Sequence, residues 1–286
     1  MDVRRSPLAG SWYPADAPTL RNLVDRLLEE SAPQGMEGTC TAFVVPHAGY
    51  QYSGSVAAAA YRLAAERRPR RVVVLAPCHR MSFRGLAIPD ATGFRTPLGV
   101  VWVDDVAPSL ASSDLVRMSS SPFEGEHSFE IQLPFMQRAV PDATVVPILF
   151  GSLGPQDDST VEPLLSRLAG EDTLFLISSD FTHYGRRFDY EPFPATCAED
   201  VRARLEELDT AAIQPILSGD AEAFRALLAR TGDTVCGRVP IAAFLATLGC
   251  GAHGRLLAYR TSLDVTGDFE HSVSYASIAL EAAASQ

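Results

Sequence analysis

The sequence predicts an α/β protein with a central mixed, mostly parallel sheet and helices on both faces. Four continuous apolar runs rich in β-branched residues are typical of strands buried on both faces. These runs cover residues 42–45, 71–77, 144–150 and 173–179. Helical patterns separate several of them, and a strand–helix–strand unit sets its two strands parallel. We therefore expect these four strands at the centre of the sheet.

The other elements are predicted from hydrophobic periodicity and from residues that begin or end helices. Helices are expected over 17–30, 53–67, 126–133, 156–169, 195–230 (in pieces, with a break at Gly219 and a cap at Asp220) and 240–248. The remaining expectations are a loop over 1–16, a hairpin-like excursion over 85–103, a short helix within 104–116, and strands over 255–261 and 274–280. No Pro/Gly-rich linker interrupts the chain, so residues 1–286 are assigned to a single domain.

Composition limits the classes of partner and the compartment. The 286 residues carry a formal net charge of -11 and a pI of about 5.0, which argues against nucleic acid and anionic membranes as partners. Five cysteines are an odd number, and no C-x-x-C pair occurs among them, so a disulfide framework is not expected. The apolar runs are too short to span a bilayer, and the N-terminus has no apolar signal core. A reducing, cytoplasmic location is expected.

Two strands end in the same way, with a proline followed by a histidine. The first run ends at Pro46-His47, and the second ends at Pro77-Cys78-His79. Because parallel strands meet at one edge of a sheet, both histidines are expected at the carboxyl edge, where α/β proteins bind ligands. Taken alone, each has a simpler interpretation as a loop histidine with a satisfied hydrogen bond.

Further polar residues are expected at the same edge. The fourth run leads into Asp180 and His183, and Cys236 lies just before the helix predicted over 240–248. His127 is expected to join them from the start of its own helix. The convergence of these side chains favours a functional site over a chance arrangement.

The residue types indicate a mononuclear metal site more firmly than they indicate which metal. Two histidines with one anionic ligand and open positions describe non-haem iron, and imidazole with thiolate also suits copper or catalytic zinc. A metal-free alternative is a nucleophilic Cys236 thiol with His183 as its base. No nucleophile-elbow, P-loop or dinucleotide-binding motif is present.

Six motifs together resemble the Memo family, named in microbes as component B of the AmmeMemoRadiSam system. They are Gly10-Ser11-Trp12-Tyr13, Pro46-His47-Ala48-Gly49-Tyr50, Glu126-His127-Ser128-Phe129-Glu130, Ser178-Ser179-Asp180-Phe181-Thr182-His183-Tyr184-Gly185, Cys236-Gly237-Arg238-Val239-Pro240-Ile241 and Ser272-Val273-Ser274-Tyr275-Ala276. They run in the family's order through nearly the whole chain. The resemblance implies a fold similar to class III extradiol ring-cleaving dioxygenases.

The resemblance also implies roles for individual residues and possible partners. His47, His79 and Cys236 would be the metal ligands, with Cys236 in the place of the dioxygenases' glutamate. His183 would be the acid/base residue and Asp180 its catalytic neighbour. The residues expected to line the pocket are Trp12, Tyr50 and His127. An Ammecr-type protein and a radical-SAM protein are the implied partners, besides a small-molecule or peptide substrate.

Three functions remain open at this point. The first is a metal-dependent oxidoreductase that uses iron or copper. The second is a non-catalytic protein that binds a metal or a peptide in a vestigial active site. The third is a zinc-type hydrolase. Asp180 and His183 favour an enzyme, because a metal store needs no acid/base group, whereas a cysteine in place of the glutamate favours a binding protein over a dioxygenase.

Overall fold

The computed structural model describes residues 2–33, 40–248 and 252–281. The strands of these segments are β1 (Val3–Arg5), β2 (Cys40–Val45), β3 (Arg71–Pro77), β4 (Leu86–Ile88), β5 (Gly93–Thr96), β6 (Gly99–Trp102), β7 (Val116–Met118), β8 (Thr144–Phe150), β9 (Thr173–Ser178), β10 (His183–Tyr184), β11 (His253–Thr261) and β12 (Ser272–Glu281). The α-helices are α1 (Ala17–Glu30), α2 (Tyr50–Arg67), α3 (His127–Glu130), α4 (Leu133–Ala139), α5 (Asp158–Ser166), α6 (Ala198–Leu217), α7 (Ala221–Thr231), α8 (Arg238–Leu245) and α9 (Leu263–Thr266).

One large mixed sheet organises the fold. Its strand order is β10-β12-β2-β9-β3-β8-β4-β7, and β11 pairs with β12. The central strands β2, β9, β3 and β8 are all parallel, whereas β12 is antiparallel to β2 and β4 is antiparallel to β8. The prediction of a mixed sheet with a parallel centre is therefore confirmed.

Alternation along the central strands builds two apolar layers. On β2, Val44 packs in one layer, while its neighbours Phe43 and Val45 pack in the other. Helices α1, α2 and α4 cover the face of Phe43, and α5, α7 and α8 cover the face of Val44. Burial on both faces explains why these runs contain no polar alternation.

The predictions for residues 1–16 and for residues 85–103 were both incomplete. The segment predicted as a loop over 1–16 contains β1, which pairs parallel with β5 through Val3 and Gly93. Within 85–103 only β5 and β6 form the antiparallel hairpin, because β4 instead joins the large sheet. The result is a small second sheet of order β1-β5-β6.

Several local predictions agree with the structure. The break near Gly219 separates α6 from α7, and the Asp220 side chain accepts a hydrogen bond from the Ala223 backbone N–H at 2.8 Å. The short helix expected within 104–116 is a 3₁₀ helix at Ala107–Ser112. The four cysteines in the described segments are free thiols, and Cys250 lies outside those segments. No helix of the described segments is long and apolar enough to cross a membrane.

Candidate metal centre

The candidate site lies where four loops meet at the carboxyl edge of the parallel strands. His47 follows β2, His79 follows β3, and Asp180 follows β9. Cys236 approaches from the loop before α8, where its backbone N–H donates to the Asp180 carbonyl at 3.3 Å. The common direction of the parallel strands brings His47, His79 and Asp180 together, and the loop before α8 adds Cys236, which is 189 positions from His47 in sequence.

Three imidazoles form the centre of the candidate site, and we call them the cluster. Each of His47, His79 and His127 offers a ring nitrogen, and these atoms all lie within 4.8 Å of one another. The rings of His79 and His127 are stacked with centroids 4.8 Å apart, and Trp12 stacks on the outer face of His127 at 4.4 Å. His127, expected in the pocket wall, is thus part of the cluster itself.

A hydrogen-bond network fixes the tautomer of His47. The Ser178 hydroxyl has one hydrogen, which it donates to the Ser128 carbonyl at 2.6 Å, and it accepts from the Gln132 amide at 3.0 Å. Its 2.9 Å contact with His47 Nδ1 must therefore be a bond in which Nδ1–H donates. The lone pair of His47 then lies on Nε2, and this nitrogen is available to a metal ion.

The buried Glu126 carboxylate holds the other two histidines. It accepts five N–H groups in the described part of the chain, from the backbone of His79, Arg80, His127 and Ser128 and from His79 Nδ1. Burial raises its pKa, but the His79 side chain and these other donors outweigh burial and lower the pKa to about 2. An ionised Glu126 keeps the lone pair of His79 on Nε2, as carboxylates do for metal-binding histidines.

The chemistry of these donors fits a bound cation. Burial lowers the pKa of His127 to about 4, and burial together with the neighbouring imidazoles lowers the pKa of His47 well below its usual range. Both rings are therefore neutral at pH 7, the form in which an imidazole can bind a metal ion. His127 Nδ1 is buried and lies 3.3 Å from Glu126 Oε1, but it makes no well-aligned hydrogen bond with any described residue, so this nitrogen is less firmly held than that of a purely structural histidine.

Cys236 offers a fourth atom that could bind a metal ion, next to His47. Its Sγ lies 3.1 Å from His47 Nε2, and the Asp180 backbone N–H donates to it at 3.1 Å. Since His47 Nε2 carries no hydrogen, the thiol is the donor in the first contact, and the Asp180 carbonyl at 3.4 Å is a second acceptor for the same hydrogen. Burial and the nearby Asp180 carboxyl raise the pKa of the thiol, so it is protonated in the absence of a cation. A metal ion bound to both atoms would replace that proton.

Asp180 and His183 lie beside the cluster in different environments. Asp180 Oδ1 accepts from the His47 backbone N–H at 2.7 Å, and its Oδ2 lies 4.0 Å from His47 Nε2. Burial raises the pKa of Asp180 to about 7. His183 Nδ1 lies 2.8 Å from the Phe181 carbonyl and so carries the hydrogen, while burial lowers the pKa of this imidazole. A neutral His183 whose Nε2 makes no hydrogen bond with the described part of the chain is suited to accept a proton.

Two cavities open on the cluster. We call them the histidine cavity, about 550 Å³, lined by Trp12, Tyr52, His127 and Asp180 among others, and the thiol cavity, about 570 Å³, lined by Cys78, Phe83 and Cys236 among others. His79 and His183 line both. A ligand in either cavity would therefore reach the cluster.

Tyr50, expected to line the pocket, lies outside the lining of the two cavities around the cluster. Its ring packs on Phe135 with centroids 4.9 Å apart, and its hydroxyl donates to the Ile131 carbonyl at 2.8 Å. Tyr50 is therefore a core residue that joins α2 to the chain between α3 and α4. The tyrosine of α2 that reaches the histidine cavity is Tyr52.

Sequence reasoning missed the residues that orient the ligands. Ser178, Gln132 and Glu126 carry no ligand pattern of their own. A signal existed only for Glu126, which stands at the N-cap position of a helix directly before His127. Its contact with His79 spans 47 residues and could not be inferred from local spacing.

Comparison with known proteins identifies the family. The model of the Memo family, described as Memo-like protein, matches residues 4–279. The chain belongs to the Memo family. It is 35% identical to a MEMO1 family protein of Thermococcus onnurineus over 96% of this chain and 98% of that protein. It is also 33% identical to Protein MEMO1 of Homo sapiens over 97% of both chains, and 33% identical to the Protein memo-1 homolog of Caenorhabditis elegans over 96% of this chain and 81% of that protein.

A solved structure supports the fold of this Memo-family chain. The crystal structure of the uncharacterized protein JW3007 from Escherichia coli K12 superposes with a TM-score of 0.50 at 14% sequence identity. The match covers 84% of this chain and 99% of that one. At this identity the likeness concerns the fold alone, and it agrees with a mixed α/β architecture.

Ser178→Ala is expected to weaken both the fold and metal binding. It leaves His47 Nδ1, the Gln132 amide and the Ser128 carbonyl without their partner, which should cost about 2–3 kcal/mol of unfolding free energy. Loss of a group that orients a ligand should also weaken metal affinity about 10- to 100-fold. Denaturant unfolding and metal titration measure the two effects.

The matched control is Ser277→Ala. Ser277 is also a buried serine, and it donates to the Val56 carbonyl at 2.6 Å in the core. This variant should lose stability but keep its metal affinity. Equal metal affinities in the two variants would show that Ser178 does not orient His47.

Proposed function

We propose that this Memo-family protein is a metal-dependent oxidoreductase that uses iron or copper. His47 and His79 would hold the ion, with the Cys236 thiolate as the anionic third ligand. The proposal rests on the contact between the Cys236 thiol and His47 Nε2 at 3.1 Å. In this contact one proton lies between two atoms that can each bind a metal ion, and the ion would take the place of the proton. Thiolate and imidazole together favour copper or iron among the common metals.

The bound ion would supply Lewis acidity and a reversible change of oxidation state. The residues of the chain have other tasks. His183, neutral and with its Nδ1–H fixed on the Phe181 carbonyl, would accept a proton from the substrate at Nε2 and return it later. Asp180 fixes the His47 backbone. The stacked ring of Trp12 covers one face of His127 and limits the access of water to that ring.

A zinc-type hydrolase is the second candidate, and a different observation favours it. Three imidazoles whose ring nitrogens lie within 4.8 Å of one another match the donor set of a catalytic zinc site that keeps one position for water. In that case His127 would be the third ligand, and Cys236 would remain a protonated thiol. Substrate class and partners, including the Ammecr-type and radical-SAM proteins, stay predictions in either case.

Metal analysis of protein purified without oxygen tests the proposal. We expect about one iron or copper ion per chain, with an electron paramagnetic resonance signal that changes on reduction. His183→Gln should keep this metal content while losing oxygen consumption on a panel of small aromatic compounds. A protein that binds only zinc, with a hydrolytic activity and no redox response, would support the hydrolase instead.

A further inference from the structure

Two buried carboxyls that the proposed function does not use meet at the hydroxyl of Thr182. Asp209 of α6 is fully buried, and Asp233 of the loop before α8 is only 4% exposed. The Thr182 hydroxyl lies 2.7 Å from Asp209 Oδ1 and 2.9 Å from Asp233 Oδ1. No side-chain cation forms an ion pair with either carboxyl in the described segments. We call Asp209 and Asp233 the carboxyl pair.

The hydrogens in these contacts can be counted. A threonine hydroxyl has one hydrogen, so Thr182 can donate to only one member of the carboxyl pair. The contact with the other member is a hydrogen bond only if that carboxyl is protonated and donates to the Thr182 oxygen. Without such a proton, two negative charges would lie against one hydroxyl in a buried space, and like charges so close cannot both ionise easily. The contacts therefore require one proton on the carboxyl pair.

The other contacts of the pair favour the charge on Asp209 and the proton on Asp233. The Asp209 carboxyl also accepts from the Thr182 backbone N–H at 3.1 Å and from the Tyr259 hydroxyl at 2.6 Å. Asp233 Oδ1 accepts from the Thr234 N–H at 2.6 Å, but its Oδ2 has no partner in the described part of the chain. A buried oxygen without a donor costs less on a neutral carboxyl than on a carboxylate. Burial and the neighbouring Asp209 raise the pKa of Asp233 to about 6.

The charged and titratable groups around the pair come from several elements. Tyr259 of β11 and Tyr190 after β10 are neutral phenols, because burial and the nearby carboxyls raise the pKa of each. Glu206 is exposed on α6 and adds negative charge on the side of Tyr259. Arg238 and His183 line the thiol cavity together with Asp233. None of these groups places a cation in contact with the carboxyl pair, so a second negative charge would be uncompensated.

The carboxyl pair lies within the contact between the two loops that carry His183 and Cys236. The His183 N–H donates to Thr234 Oγ1 at 2.7 Å, and the Thr234 hydroxyl donates to the His183 carbonyl at 3.1 Å. Thr182 directly precedes His183, and Asp233 directly precedes Thr234. Repulsion that moves Asp233 away from Thr182 would therefore also loosen the bonds between the two loops.

We propose that the shared proton of Asp209 and Asp233 joins the loop of His183 to the loop of Cys236, and that loss of this proton at higher pH separates the loops. In this step one carboxyl O–H bond breaks, the proton passes to water, and two carboxylates remain. The carboxyl pair is thus a pH-sensitive positioning device. It acts through Thr182 and Thr234, because neither carboxyl is hydrogen-bonded to a proposed metal ligand.

The pH dependence of folding tests the shared proton, measured by denaturant unfolding of the metal-free protein. A carboxyl with a raised folded pKa stabilises the protein fully below its unfolded pKa of about 3.9. This contribution is lost as the pH rises through the folded pKa of about 6. The folding equilibrium constant of Asp233→Asn relative to the wild type should therefore rise about 10-fold between pH 5 and pH 8. Asp209→Asn should show the same trend, and it serves if Asp233→Asn does not fold.

Asp157→Asn is the matched control. Asp157 is also a buried aspartate, at 5% exposure, but its carboxylate is paired with the Arg84 guanidinium. Removal of an ion-paired carboxylate should not raise the relative folding constant with pH. A flat ratio in both variants of the carboxyl pair, or an equal rise in the control, would overturn the shared proton.

Amide hydrogen exchange tests the coupling to the two loops. In the metal-free wild type, the protection factors of the His183 and Cys236 amides should fall between pH 5 and pH 8 by more than that of Ile148 in the central strand β8. In Asp233→Asn this additional loss of protection should be absent. Protection that falls equally at all three amides of the wild type would overturn the coupling. Since every measurement uses metal-free protein, the outcome leaves the proposed oxidoreductase untouched.

Discussion

Cys236→Ala is expected to lower the affinity for copper or iron about 100-fold, because it removes the only proposed anionic ligand. His127→Ala is expected to lower it less than about 10-fold, since His47, His79 and the thiolate remain. Titration of each metal into the stripped variants, with a chromophoric chelator as competitor, measures the affinities. Cys236→Glu should restore an anion and shift the preference from copper towards iron.

Cys78 provides the control for this comparison. It is a half-buried free thiol that lines the same thiol cavity, so Cys78→Ala should bind metal like the wild type. If His127→Ala loses the metal and Cys236→Ala keeps it, the ligands are the three imidazoles. If Asp180→Ala alone loses it, the anionic ligand is the Asp180 carboxylate and the cysteine is a bystander.

Gly237→Ala is expected to destabilise the protein by about 3 kcal/mol. A Cβ atom at this position would lie 2.4 Å from Ser179 Cβ and 2.8 Å from the Ser178 carbonyl oxygen, so the start of α8 and the end of β9 would have to separate. That movement carries Cys236 away from His47. Denaturant unfolding should show a lower midpoint, and metal titration a lower affinity.

Gly170→Ala is the matched control for the added methyl group. The nearest atom to a Cβ there is Thr173 Oγ1 at 4.0 Å, which leaves room for the substitution. Its free energy of unfolding should stay within about 0.5 kcal/mol of the wild-type value. A Gly237→Ala variant as stable as this control would contradict the close packing of α8 on β9.

The central sheet and its ligand edge were predictable because the signals are local. Continuous apolar runs report burial on both faces, and a proline directly before His47 marks the end of a strand within a few residues. The parallel arrangement then follows from the helix between β2 and β3. Each of these inferences needs only neighbouring residues and a general rule of chain connection.

The features that the sequence did not predict depend on distant partners. The three-residue strand β1 exists because it pairs with Gly93–Arg95, some 90 positions away. His127 joins the cluster because Glu126 binds the loop after β3. Tyr50 turns into the core because Phe135 and the Ile131 carbonyl receive it. A single sequence does not show which of Tyr50 and Tyr52 will pack in the core and which will face the cavity.

The five donors on Glu126 have a consequence for the thermodynamics of metal uptake. They clamp the loop after β3 to the start of α3, so two of the imidazoles are in position before any ion arrives. An ion entering such a site orders little chain and buries little new apolar surface. Its binding should therefore show a heat-capacity change close to zero, unlike that of small metal-dependent domains that fold around their ion.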